Sequence, residues 1–313
     1  MFEIPLWIYI GLGAQLLWVA GNLFDKYLIE TFFRGEDDEY DEGIGTLVLF
    51  SAFFAVLVSA GVYVGWGSAI SFSTESALIG TGIGILNAMW VIAYLYAIGR
   101  SELTKTVPIF QTIPVFGFIF AFLLLGETVT TLQFIAASGL MLGSFVLSYN
   151  FRDGSFSWLT LGLMLLASAV VALQEVVFKY VALDDGFATS AFWQGIGLGL
   201  TGLFLYVTIP SYRRQFNNFI AERNKQIWTV SAINEVFDNA ATLVFSYAVI
   251  LGPVLLVQAV NAYQPLVLFA ISYLIAIFFG NYLREDISVM NTAQKIVGIG
   301  IITVGSVVLY LSV

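Results

Sequence analysis

Long apolar stretches separated by short polar ones fill the whole chain, and none shows the every-second-residue alternation of a half-buried strand. A hydrocarbon core about 30 Å thick takes roughly 20 apolar residues per helix, and lipid-facing backbone must satisfy its own hydrogen bonds, so helices fit these runs. The pattern predicts ten spans, at 6–28, 44–66, 77–99, 104–125, 131–149, 157–180, 187–209, 227–250, 253–279 and 289–312. The first is expected to be a retained helix, since Glu3 rather than a basic segment precedes it. Most links are short. The exceptions are the acidic 29–43 and the basic, partly amphipathic 211–226, which is expected on the membrane surface.

Composition narrows the class. Of 313 residues, 59% are hydrophobic and 11% charged, with a mean hydropathy of +0.90. Soluble domains carry roughly a quarter charged residues, so a water-soluble enzyme, a nucleic-acid binder and a disordered chain are excluded, and the bilayer is the expected partner. Cysteine and histidine are absent, which removes disulfides, thiol nucleophiles, the usual haem and zinc sites and imidazole relays. No cofactor or metal is expected, and proton chemistry falls to Asp, Glu, Lys or Tyr. The net charge of −9 is concentrated in Glu36-Asp37-Asp38-Glu39-Tyr40-Asp41-Glu42, which reads as a solvated loop.

The basic residues separate by side. Links after odd-numbered spans, with their flanking helix ends, hold Lys26, Arg34, Arg100, Lys105, Arg152, Arg213, Arg214, Arg223, Lys225, Arg284 and Lys295, eleven of the twelve. Lys179 alone falls on the other side. Positive charge is retained in the cytoplasm, so both termini are expected outside a plasma membrane.

The chain also repeats itself. Tyr96-Ala97 and Gln111-Thr112-Ile113-Pro114-Val115 pair with Tyr247-Ala248 and Tyr263-Gln264-Pro265-Leu266 at an offset of 151, and Lys26-Tyr27 pairs with Lys179-Tyr180 at 153. Two five-helix units, 1–152 and 153–313, are predicted. Because five is odd they must run through the membrane in opposite senses, which places Lys26 and Lys179 on opposite faces. Inverted repeats of this kind serve alternating access in secondary transporters. Small-residue spacings at Gly61/Gly65, Gly80/Gly84, Gly139/Gly143 and Gly195/Gly199 predict close helix contacts.

Thr106-Val107-Pro108, Gln111-Thr112-Ile113-Pro114-Val115, Leu125-Gly126-Glu127-Thr128, Gln133, Gly139 and Gly143 resemble the signature of EamA domains in the drug/metabolite transporter superfamily. The second copy matches less well, keeping Pro265, Glu285, Gln294 and Gly305 but inserting residues around Gly280-Asn281-Tyr282-Leu283-Arg284. The resemblance implies a ten-helix, all-α carrier of a small organic solute, with its cavity among spans three, four, eight and nine. Many relatives have cytoplasmic termini, and the charge distribution here argues the reverse.

Within the spans, Asn87, Trp90, Tyr94, Gln111, Asp238, Asn261, Tyr263 and Gln264 are the candidate substrate-binding residues, with Pro114 and Pro265 as matched helix breaks. A charge at mid-bilayer needs a partner, a wet cavity or a function. Asp238 lies about 16 Å inside span eight at helical rise, and it is the first candidate for coupling, with protons as the candidate ion, ahead of Glu235 and Glu175. A structural clamp is the other reading of Asp238. Glu175 and Lys179 are spaced for an i,i+4 ion pair, with a snorkelled Lys179 or a gating role as alternatives. In span one, Gln15, Trp18, Asn22 and Asp25 share a face. An intramembrane aspartyl enzyme is disfavoured because Glu235 and Asp238 occupy one helical turn rather than two separate elements. The alternative to a carrier is a channel, or a non-transporting scaffold or receptor.

Overall fold

A computed structural model describes residues 4–28, 41–98, 107–148, 158–222, 224–264, 266–267, 270–271 and 289–312. Every regular element among them is helical. The α-helices are α1 (Leu6–Leu28), α2 (Asp41–Trp66), α3 (Thr74–Ile98), α4 (Ile113–Leu125), α5 (Thr131–Ser148), α6 (Trp158–Asp185), α7 (Phe187–Thr208), α8 (Pro210–Glu222), α9 (Lys225–Leu251), α10 (Val254–Ala259) and α11 (Val289–Ser312). Tight 3₁₀ turns occupy Val107–Thr112, before α4, and Val260–Tyr263, after α10. Among the described residues, five stretches are long and apolar enough to cross a membrane: Leu6–Phe24, Gly43–Ala69, Thr74–Ala97, Trp158–Asp185 and Phe187–Thr208. Shorter apolar helices accompany them.

The two 3₁₀ turns occur where proline predicts trouble. Pro114 lacks an N–H, and its ring collides with the carbonyl of Phe110, four residues earlier, so a regular α-helix cannot run through 110–114. The same reasoning applies to Asn261 ahead of Pro265, which itself lies outside the described residues.

Helix α1 lies along α9, α3 lies along α6 and α7, α2 packs on α7, and α5 pairs with α11. The largest core cluster joins α1, α4, α5, α9, α10 and α11 through residues such as Ala14, Leu140, Phe245, Leu256 and Ile302. Large apolar side chains such as Val64, Leu78 and Leu311 stay on the outside, as expected where lipid is the solvent. One end of the bundle gathers the start of α1, the α4–α5, α6–α7 and α9–α10 turns and the end of α11. Gln133 Nε2 there donates to the carbonyl of Ser312 at 3.2 Å, and Trp7 covers Gly252. Helix α8 lies at the other end, where Gln215 accepts from the Gly45 N–H at 2.9 Å. Its Tyr212 and Phe219 are buried while Arg213, Arg214, Asn217 and Asn218 are exposed. The surface segment expected at 211–226 is therefore an amphipathic helix laid against α2 and α7.

Glycine spacing decides helix contact at three of the four predicted places. A Cβ on Gly84 would lie 2.2 Å from the Leu198 backbone nitrogen and 2.3 Å from the Gln194 carbonyl oxygen. A Cβ on Gly195 would lie 2.6 Å from the Ala55 carbonyl oxygen, and one on Gly143 2.7 Å from the Ile302 backbone nitrogen. The expectation for Gly61 and Gly65 is corrected: nothing approaches either within 4 Å, because both occupy the outward face of α2. Gly84→Ala should therefore destabilise the protein by about 1–3 kcal/mol through overpacking, whereas Gly82→Ala, which faces open space, should leave the melting temperature unchanged. Thermal unfolding in detergent compares the two, and equal melting temperatures would refute the α3–α7 contact.

Candidate functional site

The candidate residues fall into four neighbouring groups. The first joins α3 to α6 and to the 3₁₀ turn before α4. Trp90 Nε1 donates to Gln174 Oε1 at 2.9 Å, the Trp90 and Tyr94 rings lie 6.3 Å apart, and Tyr94 meets Phe110 at 5.3 Å. Asn87 sits half-buried one turn before Trp90, and Gln111 is buried beside Phe110. The four-residue spacing on α3 thus becomes an aromatic ladder that ends at the proline-induced turn.

The second group joins α1 to the turn after α10. Gln15 Nε2 donates to Asn261 Oδ1 at 2.7 Å. Tyr263 points elsewhere, its hydroxyl hydrogen-bonded to Ser306 of α11, and Gln264 is half-buried. Gln258, one turn before Asn261, has no exposed surface and lies against Gly117 of α4.

The polar patch of α9 forms the third group. Glu235 accepts from the Ser51 hydroxyl of α2 and from Asn239 Nδ2 at 3.1 Å. Asp238 is half-buried in the α1–α9 seam, where its Oδ1 stands 3.0 Å from the position a Cβ on Gly21 would take. The two carboxylates share a helix face in sequence yet engage different helices. The contact at Gly21 turns Asp238 towards α1.

The fourth group surrounds Lys179. Its ammonium, 6% exposed, pairs with Glu127 Oε1 at 2.5 Å and donates to the Gly252 carbonyl at 2.7 Å. Glu127 Oε2 in turn accepts from the Val254 N–H at 2.8 Å. The expected Glu175–Lys179 pair is corrected: Glu175 instead accepts from Ser246 of α9 at 3.1 Å. The snorkelled alternative is corrected as well, since Lys179 is buried. The Gly252 carbonyl, just past the end of α9, carries the partial negative charge of a helix C-terminus, and it draws the ammonium together with Glu127. Gly126 makes that geometry available. It ends α4 at φ 66°, a left-handed conformation that suits glycine, and the following Glu127 N–H closes back on the Ala121 carbonyl at 3.2 Å.

Sequence reading missed three of these partners. Glu127 looked like a loop residue because it follows a helix stop, and Ser246 and Ser51 carry no spacing signal. Only the resemblance had drawn attention to Glu127. Glu285 and Lys26, which correspond to Glu127 and Lys179 in the repeat, are not placed here, because Glu285 and the Lys26 side chain lie outside the described residues.

No family model matches the chain. Over 151 residues it is 28% identical to a protein of Salmonella typhimurium strain LT2 named a probable amino-acid metabolite efflux pump. The match takes in 46% of this chain and 48% of that protein, so the chain spans about half the length of the curated relative it matches. One solved crystal structure has the same fold, with a TM-score of 0.68 over 97% of this chain and 96% of its own, at 14% identity. The apolar helices and the efflux-pump relative point to a multi-pass membrane protein.

Removing one member of a buried ion pair strands the other and costs about 3–5 kcal/mol, while apolar replacement of both can be neutral. Lys179→Met alone and Glu127→Leu alone should each lower the melting temperature strongly, and the double variant should recover most of the loss. Additive losses in the double variant would show that the two groups do not depend on one another.

Proposed function

We propose that the protein is a secondary carrier of small metabolites of the amino-acid type, working by alternating access between two inverted five-helix halves, 1–152 and 153–313. The Glu127–Lys179 pair carries this reading. It ties the first half to the second at one end of the bundle, through contacts that a rocking motion can make and break. Deeper in, the Trp90–Gln174 and Gln15–Asn261 contacts also cross between the halves. The substrate lies between them, against Asn87, Trp90, Tyr94, Gln111, Asn261 and Gln264, beside the turns that precede Pro114 and Pro265. The efflux-pump relative supports export and the amino-acid class, and the resemblance to EamA-type drug/metabolite transporters supports the ten-span arrangement.

In this reading the end that holds the termini faces outward from a plasma membrane, because the basic residues of α8 and of the start of α9 lie at the opposite end. Asp238 is the coupling acid, placed in the seam between α1 and α9, with Glu235 and Glu175 as secondary acids and Lys179 as the gate. Counterflow in proteoliposomes tests the function: neutral amino acids loaded inside should accelerate saturable uptake of labelled amino acid from outside. A flux that neither saturates nor responds to internal substrate would mark a channel, and no flux at all would mark a scaffold. Asp238→Asn keeps the shape and removes the titration. It should keep counterflow while losing accumulation driven by a pH gradient, and unchanged accumulation would remove Asp238 from coupling.

A further inference from the structure

Gln258 is fully buried, and neither its amide oxygen nor its amide nitrogen has a hydrogen-bond partner. Gln15 is also fully buried. Its nitrogen donates to Asn261, but its oxygen is unpartnered. Buried polar groups are nearly always satisfied, and an orphan amide inside a membrane protein is a standing loss unless something arrives to meet it. The place is specific. A Cβ on Gly117 would fall 1.7 Å from Gln258 Oε1, so the amide fills the notch that glycine leaves on α4. Gly117 is one turn from Pro114, and Asn261 is one turn from Gln258, so the orphan amides lie between α4 and the turn at 260–263, which packs on α1.

We propose that Gln258, assisted by the free oxygen of Gln15, is the polar recognition point of the carrier, and that it selects ligands bearing adjacent donor and acceptor groups without net charge, the neutral α-amino acids above all. The inference rests on the carrier reading and adds the chemistry of recognition to it. A primary amide matches both ends of a zwitterion: Nε2 donates to the carboxylate, and Oε1 accepts from the ammonium. Gln15 Oε1 offers the ammonium a second acceptor. A phosphorylated metabolite would bring net negative charge to a place where the recognising groups are amides. The buried ammonium of Lys179 already faces Glu127, so it is not free to neutralise such a ligand. Gly117 leaves the amide room, and the halves must part there for a ligand to enter, since neither glutamine is reached by solvent in this conformation.

The substitution Gln258→Met separates recognition from structure. Methionine is unbranched and similar in length, and it removes an unsatisfied amide. A structural role that only costs stability predicts an equal or higher melting temperature and unchanged binding. Binding of L-leucine, 4-methylpentanoate, isoamylamine and glucose 6-phosphate would be measured on the purified full chain by titration calorimetry. Wild type should bind L-leucine, bind the acid-only and amine-only analogues at least about tenfold more weakly, as the loss of one charge-assisted hydrogen bond implies, and show no binding of glucose 6-phosphate. Gln258→Met should unfold no earlier than wild type and bind L-leucine about as weakly as wild type binds the analogues. Gln258→Leu provides the same comparison if the methionine variant does not fold. Wild-type affinity for L-leucine in a folded variant would overturn the proposal, as would failure of wild type to bind it or a preference for glucose 6-phosphate. Leucine binding without counterflow would instead count against the carrier reading and leave the recognition site standing.

Discussion

The ammonium of Lys179 constrains everything around it. A buried cation in a bilayer protein must be met by an anion or by carbonyl dipoles, because its desolvation is otherwise too costly. Two turns converge to meet it, the one after α4 and the one between α9 and α10. Gly126 turns the chain out of α4 so that Glu127 faces inward, α9 ends so that the Gly252 carbonyl is free, and the first N–H of α10 holds the far oxygen of Glu127. Each belongs to a turn at the same end of the bundle. The pair therefore fixes where α4, α6, α9 and α10 stop relative to one another, and with them the packing of Trp7 on Gly252 and of α11 beside Gln133.

Below that end, the helix breaks set the depth of the polar groups. Tightening at 107–112 and 260–263 shifts Gln111 and Asn261 out of simple helical register, so the face that each presents follows from the turn rather than from the heptad-like spacing of its neighbours. The Trp90–Gln174 bond then joins α3 to α6, and the Gln15–Asn261 bond joins α1 to the turn after α10, at similar distances, 2.9 and 2.7 Å. Polar pairs of this kind hold the packed helices in register.

Much of the helix arrangement was legible in the sequence because hydrophobic length is a direct physical requirement of the bilayer. The apolar runs predicted at 6–28 and 131–149 became α1 and α5 within a residue or so, and most of the basic segment at 211–226 became α8, its last residues opening α9. Partners were much less legible. The Glu175–Lys179 spacing satisfies a rule for isolated helices, yet Lys179 found a carboxylate 52 positions away in sequence, because the tertiary fold brought the glycine turn and the end of α9 to it. Gly61 and Gly65 had the spacing of a contact, but they lie on the face of α2 that no helix covers. Asp238 stands against Gly21 of α1, a contact set by which helix neighbours α9 and not by any period within it. Gln258 stands out in the sequence as one of the polar groups ahead of Pro265, but its lack of partners is visible only once its neighbours are in place.

The central claim is that transport requires the two halves to part at the Glu127–Lys179 end. The chain has no native cysteine, so cysteines at Thr128 and Pro253, one residue beyond Glu127 and one beyond Gly252, can be joined by a short reducible bifunctional thiol reagent in proteoliposomes. Cross-linking should abolish counterflow of labelled amino acid, and reduction should restore it. Full counterflow in protein shown by mass to be completely cross-linked would contradict the claim, because the end that Lys179 holds closed would then never need to open.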